Sequence, residues 1–428
     1  MLADGVLKTY LDNGLAVILK ETHRAPVASF WVWYRVGSRN ELVGVTGISH
    51  MVEHMMFRGT EQFPAGVADR LISRRGGDHN AMTYLDWTSY YETLPAEDLD
   101  LAMAIEADRM VNATFGEEDT ELERTVIISE RQGSENFPVW LLHEEMVSTA
   151  FKVHPYGNMT IGWQSDLDAI TRDDLEGHYH DYYSPSNAVV VAVGDFNAEH
   201  ALRQIKTAFG SLPAGPPRQA VRGLEPVQRG ERRVILEGPG DTAYLTIGFH
   251  APPALDEDFF PMAVIDTLLG GARSMSLFSG SEASSRSSRL YKALVDGGLA
   301  SEASSYLLPT IDPYLFICSA TLQDGQSLDA LEAALLAELD RLAREPVTES
   351  ELRKAVKQTR AQFTYSAESV TDQAFWLGFA EIVADLDWLN RFPDSLAAVT
   401  AEDVQRVAAS YLPTCKRTVA RFLPEGDR

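Results

Sequence analysis

Apolar and polar positions along this chain repeat with two periods, and the switches between them outline the elements. Residues 7–20 read as a hairpin and residues 27–36 as a strand. Helical spacing follows over 46–57 and 65–74, then a strand over 80–94, then helices over 99–111 and 118–135, the last halted by Pro138. The pattern then recurs. Thr171-Arg-Asp-Asp174-Leu175 opens a segment that ends in Tyr183-Ser-Pro185 and leads into the apolar run 188–193. Thr400-Ala-Glu-Asp403-Val404 opens one that ends in Tyr411-Leu-Pro413 and leads into 418–422. Both read as N-cap, helix, proline stop and strand. Strand-like runs also begin both halves, at 27–36 and 242–249. Four prolines punctuate residues 212–233, a polar stretch without periodicity. The pattern predicts an α+β class: two similar domains from an internal duplication, each a mostly antiparallel sheet packed with helices. Their bounds are 1–211 and 234–428, with 212–233 as the linker.

Composition narrows the picture. At 428 residues, 45% hydrophobic and 23% charged, the chain has material for a packed core, which excludes the disordered and low-complexity classes. A net charge of −25 argues against nucleic acid as a partner. Two cysteines, Cys318 and Cys415, rule out a disulfide framework or a cysteine metal cluster. Each lies in a short β-like apolar run and is expected in the core. No apolar stretch approaches the ~18 residues of a membrane helix, so no span is expected. The first residues lack a basic region followed by an apolar core, so they do not read as a signal peptide, although a signal already removed would leave the same start.

The candidate chemistry lies in residues 46–60. On a helix His50 and His54 are four apart and Glu53 is three from His50, so the three side chains share one face. Ile48, Met51, Val52, Met55 and Met56 clothe the remainder. Two neutral imidazoles at that spacing can grip one zinc ion, with the carboxylate beside a metal-bound water, in the inverted zinc-peptidase pattern H-x-x-E-H. The bland alternative is an amphipathic helix whose histidines are ordinary core or surface residues. A catalytic zinc needs a third protein ligand, here a carboxylate from another element. The helix over 118–135 offers Glu123 and Glu130, seven apart on one face beside Val126, Ile127 and Ile128. They are either ligands or two solvated glutamates on a charged helix.

His50-Met-Val-Glu53-His54, with Glu130 in Ile-Ser-Glu-Arg, resembles the pitrilysin family of zinc peptidases, which includes insulysin and the mitochondrial processing peptidase. The likeness runs through nearly the whole chain: Leu-Asp-Asn-Gly-Leu at 11–15, Val36-Gly-Ser, Tyr183-Ser-Pro185 with Val193-Gly-Asp195, and the proline-rich linker. It implies a zinc metalloendopeptidase of the short two-domain branch, one zinc per chain, held by His50, His54 and Glu130. Glu53 would be the general base on the zinc-bound water, and Glu123 an acidic residue orienting a ligand. The likeness also covers Gly76 to Tyr90. In the family this is an edge strand against which substrate lies extended, with Asn80 and Ala81 beside the scissile bond; an ordinary edge strand is the alternative. His79, His178 and His180 are expected outside the ligand set.

Active members also use an Arg and a Tyr seven residues apart, from the second half or from a partner chain. The matching stretch here, 298–318, holds no arginine, and Tyr306 and Tyr314 are eight apart. Arg289 and Tyr291 read as structural. The second half has His250 as its one histidine, hence no zinc motif of its own. A Ser/Gly-rich segment, 272–288, resembles in position the glycine-rich loop of the noncatalytic processing-peptidase subunit, as a lid or as an insertion without a role. The resemblance therefore implies a chamber formed by two chains, with a zinc-less relative supplying the Arg/Tyr pair, and a homodimer as second choice. Peptides or unfolded segments would be the substrates. The compartment stays open, with the bacterial periplasm ahead of the cytoplasm. Two alternatives remain: a non-proteolytic member serving as an assembly or binding subunit, and a metal hydrolase of unrelated fold.

Overall fold

The computed structural model describes residues 2–217, 220–273 and 285–425. Its first half runs β1 (Val6–Tyr10), β2 (Ala16–Glu21), β3 (Val27–Tyr34), α1 (Ile48–Met55), α2 (Val67–Arg74), β4 (Asp78–Thr83) and β5 (Thr88–Pro95). Then come α3 (Leu99–Asn112), α4 (Glu117–Glu135), α5 (Pro138–Ala150), α6 (Gln164–Ala169), α7 (Arg172–Tyr182), β6 (Ala188–Gly194) and α8 (Ala198–Phe209). The second half runs β7 (Arg232–Gly238), β8 (Tyr244–His250), α9 (Phe259–Gly270), β9 (Ala300–Leu307), β10 (Leu315–Leu322) and α10 (Leu328–Arg344). It ends with α11 (Glu349–Tyr365), α12 (Val370–Val383), α13 (Leu386–Ala398), α14 (Ala401–Tyr411) and β11 (Arg417–Pro424).

Two mostly antiparallel sheets packed with helices result, the α+β class that the pattern implies. Their strand orders are β1-β2-β6-β3-β5-β4 and β7-β11-β8-β10-β9. Apart from β1, the two match strand for strand: β2 and β6 are parallel, as are β7 and β11, and every other pair is antiparallel. The expected capping segments fall in equivalent places. Thr171 with Asp174 and Thr400 with Asp403 form reciprocal capping boxes at the starts of α7 and α14.

Two compact units contain these sheets: Met1–Gln132 with Asn158–Gly223 and Ala367–Asn390, and Gly133–Gly157 with Leu224–Ser366 and Arg391–Arg428. Each takes a helix from the other half of the chain. In the first unit α12 lies on β3 and β6, with Phe375 against Trp31 and Trp33. In the second, α5 lies on β7, β8 and β11, where Met146 Sδ fills the space a Cβ on Gly248 would need. Strand β6 is buried at every position, as a central strand covered on both faces should be.

Three local expectations need correction. The strand over 80–94 is a hairpin, β4 and β5, because residues 84–87 turn back with Tyr84 N donating to Trp87 O at 2.8 Å. Pro138 opens α5, where its missing N–H is no loss. Cys318 is buried as expected, whereas Cys415 is exposed in a short 3-10 turn before β11. Residues 274–284 of the Ser/Gly-rich segment lie outside the described residues.

Candidate active site

The putting together of the site begins with how α1 starts. Glu41 accepts hydrogen bonds from the backbone N–H groups of Gly47 (2.8 Å) and Ser49 (2.9 Å), donors that a helix start leaves open. Gly47 has φ 89°, and a Cβ there would lie 2.5 Å from the Ile161 carbonyl oxygen. Only glycine combines that backbone with that approach. Met51, Val52 and Met55 then point into the core, which leaves His50 and His54 half-buried on the other side, their rings edge to face at 4.8 Å.

Helix α4 brings both expected glutamates to these histidines. Glu123 is buried, and its Oε2 accepts from His54 Nδ1 at 2.9 Å. A carboxylate can only accept, so His54 carries its proton on Nδ1 and presents the Nε2 lone pair. Arg58 holds the other oxygen of Glu123 at 2.5 Å. One heptad along, the exposed Glu130 places Oε2 3.8 Å from His54 Nε2 and 3.9 Å from His50 Nε2. Among the described residues this is a candidate metal group, with one ligand atom from each of His50, His54 and Glu130, all within 4.8 Å of one another.

The donor set fits zinc. Two imidazole nitrogens and one carboxylate oxygen leave a fourth position open, as a catalytic ion requires. Bonds of about 2.0–2.2 Å put neighbouring ligand atoms roughly 3.4 Å apart, a side-chain adjustment from the separations seen. Electrostatics separate the two histidines. Burial, helped by His54, drives the His50 pKa down to about 3, so that ring is a neutral donor. For His54 burial pulls the same way, but the bond to Glu123 and the nearby carboxylates outweigh it, and its pKa is raised. Burial pushes the Glu53 carboxyl up to about 7, against the Thr83 hydroxyl and His54, which favour the charged form.

Strand β4 is an edge of its sheet, paired with β5 alone. Asn80 is exposed, Ala81 is buried, and the Ala81 N–H donates to Asn80 Oδ1 at 2.9 Å. His79 bonds Asp69 at 3.0 Å, His178 is buried against Ser49 Oγ at 3.2 Å, and His180 is exposed; none belongs to the metal group. Arg289 pairs with Glu351 at 3.1 Å, and Tyr314 is buried with its ring stacked on Phe151. Sequence reasoning passed over three residues here. Arg58, four after His54 on a helical pattern, carried a readable signal. Thr83, which donates to Glu53 Oε2 at 2.5 Å, and Glu41, which caps α1, did not, because nothing in the spacing announces such contacts.

The comparisons give the same class. The insulinase family (peptidase family M16) matches residues 16–163, and the peptidase M16 inactive domain matches 169–359. The zinc protease PqqE of Helicobacter pylori is 29% identical over 422 residues, 97% of this chain and 92% of that one. The beta subunit of the mitochondrial-processing peptidase of Lentinula edodes is 27% identical over 409 residues, covering 94% and 86%. The crystal structure of a protease from Helicobacter pylori superposes with a TM-score of 0.90 at 29% identity, covering 98% and 99%. Two matched sheets with an inverted histidine motif on α1 thus define a metallopeptidase. The chain belongs to peptidase family M16, the insulinase family.

Proposed function

We propose that this chain is the zinc-bearing subunit of an endopeptidase that hydrolyses extended peptides or unfolded protein segments. The observation that carries the reading is the meeting of His50, His54 and Glu130 around one point, with Glu53 on the same helix. His50, His54 and Glu130 would hold one zinc per chain, and Glu123, backed by Arg58, would fix the ring of His54. Zinc bound there supplies a Lewis acid for the scissile carbonyl and for water.

Glu53 does the proton work. Its carboxylate takes a proton from the attacking water and delivers it to the leaving amine, so the group ends the cycle as it began. Substrate would lie along the open edge of β4, where backbone hydrogen bonds near Asn80 and Ala81 hold many sequences in one register. Residues 1–211 would form the peptidase domain and 234–428 a scaffold repeat without a zinc motif. A zinc-less relative would complete the chamber with an Arg/Tyr pair, ahead of a homodimer, in the bacterial periplasm ahead of the cytoplasm. Among the described residues no helix is long and apolar enough to cross a membrane. A purely assembling subunit is the lesser reading, since His50, Glu53, His54 and Glu130 are all present.

Glu53→Gln tests the proposal. The variant should keep its zinc, measured per chain, while cleavage of a quenched fluorescent peptide falls by about three orders of magnitude or more. Substantial turnover by a zinc-loaded Glu53→Gln would remove Glu53 from its role.

A further inference from the structure

We infer that Thr83, at the end of the edge strand, is the positioning residue that aims the Glu53 carboxylate. This rests on the assignment of Glu53 as the base and adds a residue to it.

Glu53 is 8% exposed, and a buried carboxylate must find donors within the protein. Thr83 provides one, its hydroxyl at 2.5 Å from Glu53 Oε2. A count of hydrogens shows why that hydroxyl is committed. Thr83 Oγ1 also lies 3.2 Å from Thr88 Oγ1, directly across the β4–β5 ladder. Thr88 Oγ1 is 2.9 Å from the Val36 carbonyl oxygen, which can only accept. The Thr88 hydrogen therefore goes to Val36, and the Thr83 hydrogen is left for the shorter contact, to Glu53. Thr88 is fully buried, so this chain of oxygens is anchored in the sheet. One end is the Val36 carbonyl, two residues past the end of β3, and the other is the group that moves the proton.

Placement gives the contact a second meaning. Thr83 and the proposed substrate residues Asn80 and Ala81 are on the same strand. The strand that would set the register of the peptide also sets the orientation of the base, so the two are aligned by one rigid element.

The test uses the zinc-loaded enzyme in whatever assembly the wild type cleaves peptide. Thr83→Val removes the hydroxyl and keeps the branched shape that suits a strand. Its kcat should fall about 10- to 100-fold with KM within about threefold and zinc per chain unchanged, the scale of a lost hydrogen bond to a charged group. Thr83→Ser should recover kcat to within a few-fold, and Thr83→Ala, which also lacks the hydroxyl, should match the valine variant. A kcat within twofold of wild type in both Val and Ala variants overturns the inference. So does a raised KM at constant kcat, which would make Thr83 a substrate contact, or a loss of zinc, which would make it a structural support of the metal group. Glu53→Gln measured alongside separates the two readings. If it loses turnover while Thr83→Val does not, the positioning role alone fails; if it keeps turnover, the base assignment fails and takes this inference with it.

Discussion

Buried carboxyl groups serve this protein in opposite ways, and their partners decide which. Glu123 is desolvated, yet His54 and Arg58 more than offset that penalty, so its pKa is lowered and it stays charged. Removing it should loosen zinc rather than unfold the chain: Glu123→Ala is expected to weaken zinc affinity about 10- to 100-fold in competition with a chelator. Wild-type affinity in that variant would separate Glu123 from the metal site. Asp266, on α9 in the second unit, has the opposite balance. Burial raises its pKa from the ordinary 3.8 to about 6, although Ser305 Oγ donates to its Oδ1 at 2.5 Å. A raised acid favours the fold while protonated, so its contribution is full below about pH 3.8 and is lost as pH climbs through 6. Asp266→Asn cannot ionise. It should match the wild type in stability near pH 4 and exceed it by about 1–3 kcal/mol at pH 8. Equal denaturant midpoints for the two proteins at pH 8 would show that the buried carboxyl carries no such penalty.

Helix α12 illustrates what an element needs beyond its propensity. Gly378 lies in the middle of an apolar helix, where glycine costs about 1 kcal/mol relative to alanine and the substitution would ordinarily stabilise. Here a Cβ would sit 2.1 Å from Trp33 Nε1, inside the contact that seats α12 on β3. Gly378→Ala should therefore destabilise by about 2–3 kcal/mol and lower the first thermal transition; an unchanged or raised transition would mean that Trp33 yields freely. Contacts of this kind also mark what the sequence could and could not reveal. Capping boxes at Thr171 and Thr400, the central run Ala188–Gly194 and the His50–Glu53–His54 face are local patterns, and they are legible in the order of residues. The exchange of α5 and α12 is not, because an apolar helix announces that it is buried but not against which sheet. Nor is the turn that splits 80–94, since Leu85 and Trp87 keep the apolar character of the strands they separate and are themselves buried. Thr83 reaches Glu53 across 30 residues of sequence, a distance that no period spans.

At the scale of the whole molecule two similar sheets carry different side chains on matching helices. In each, a helix against the edge strand turns a carboxyl group toward a hydroxyl of that strand: Glu53 on α1 toward Thr83 in the first unit, Asp266 on α9 toward Ser305 in the second. Only the first pair shares its helix with histidines: α1 carries His50 and His54, whereas α9 carries none. Specialisation of one copy explains how the second sheet could keep its architecture without the chemistry. It also leaves a gap. Residues 298–318 contain no arginine, and Tyr314 is packed into an aromatic cluster with Phe151 and Tyr156, so this stretch does not present a cation–phenol pair to a substrate. If a second, zinc-less chain provides that pair, the purified chain should bind about one zinc yet cleave a quenched peptide slowly or not at all. Cleavage should then appear on adding the partner and vanish again with Glu53→Gln in this chain. The order of events matters, because zinc without cleavage shows a complete metal group with an incomplete site. Brisk cleavage by the chain alone, lost in Glu53→Gln, would mean that transition-state charge is met by groups this chain already owns, and the two-chain assembly would no longer be required.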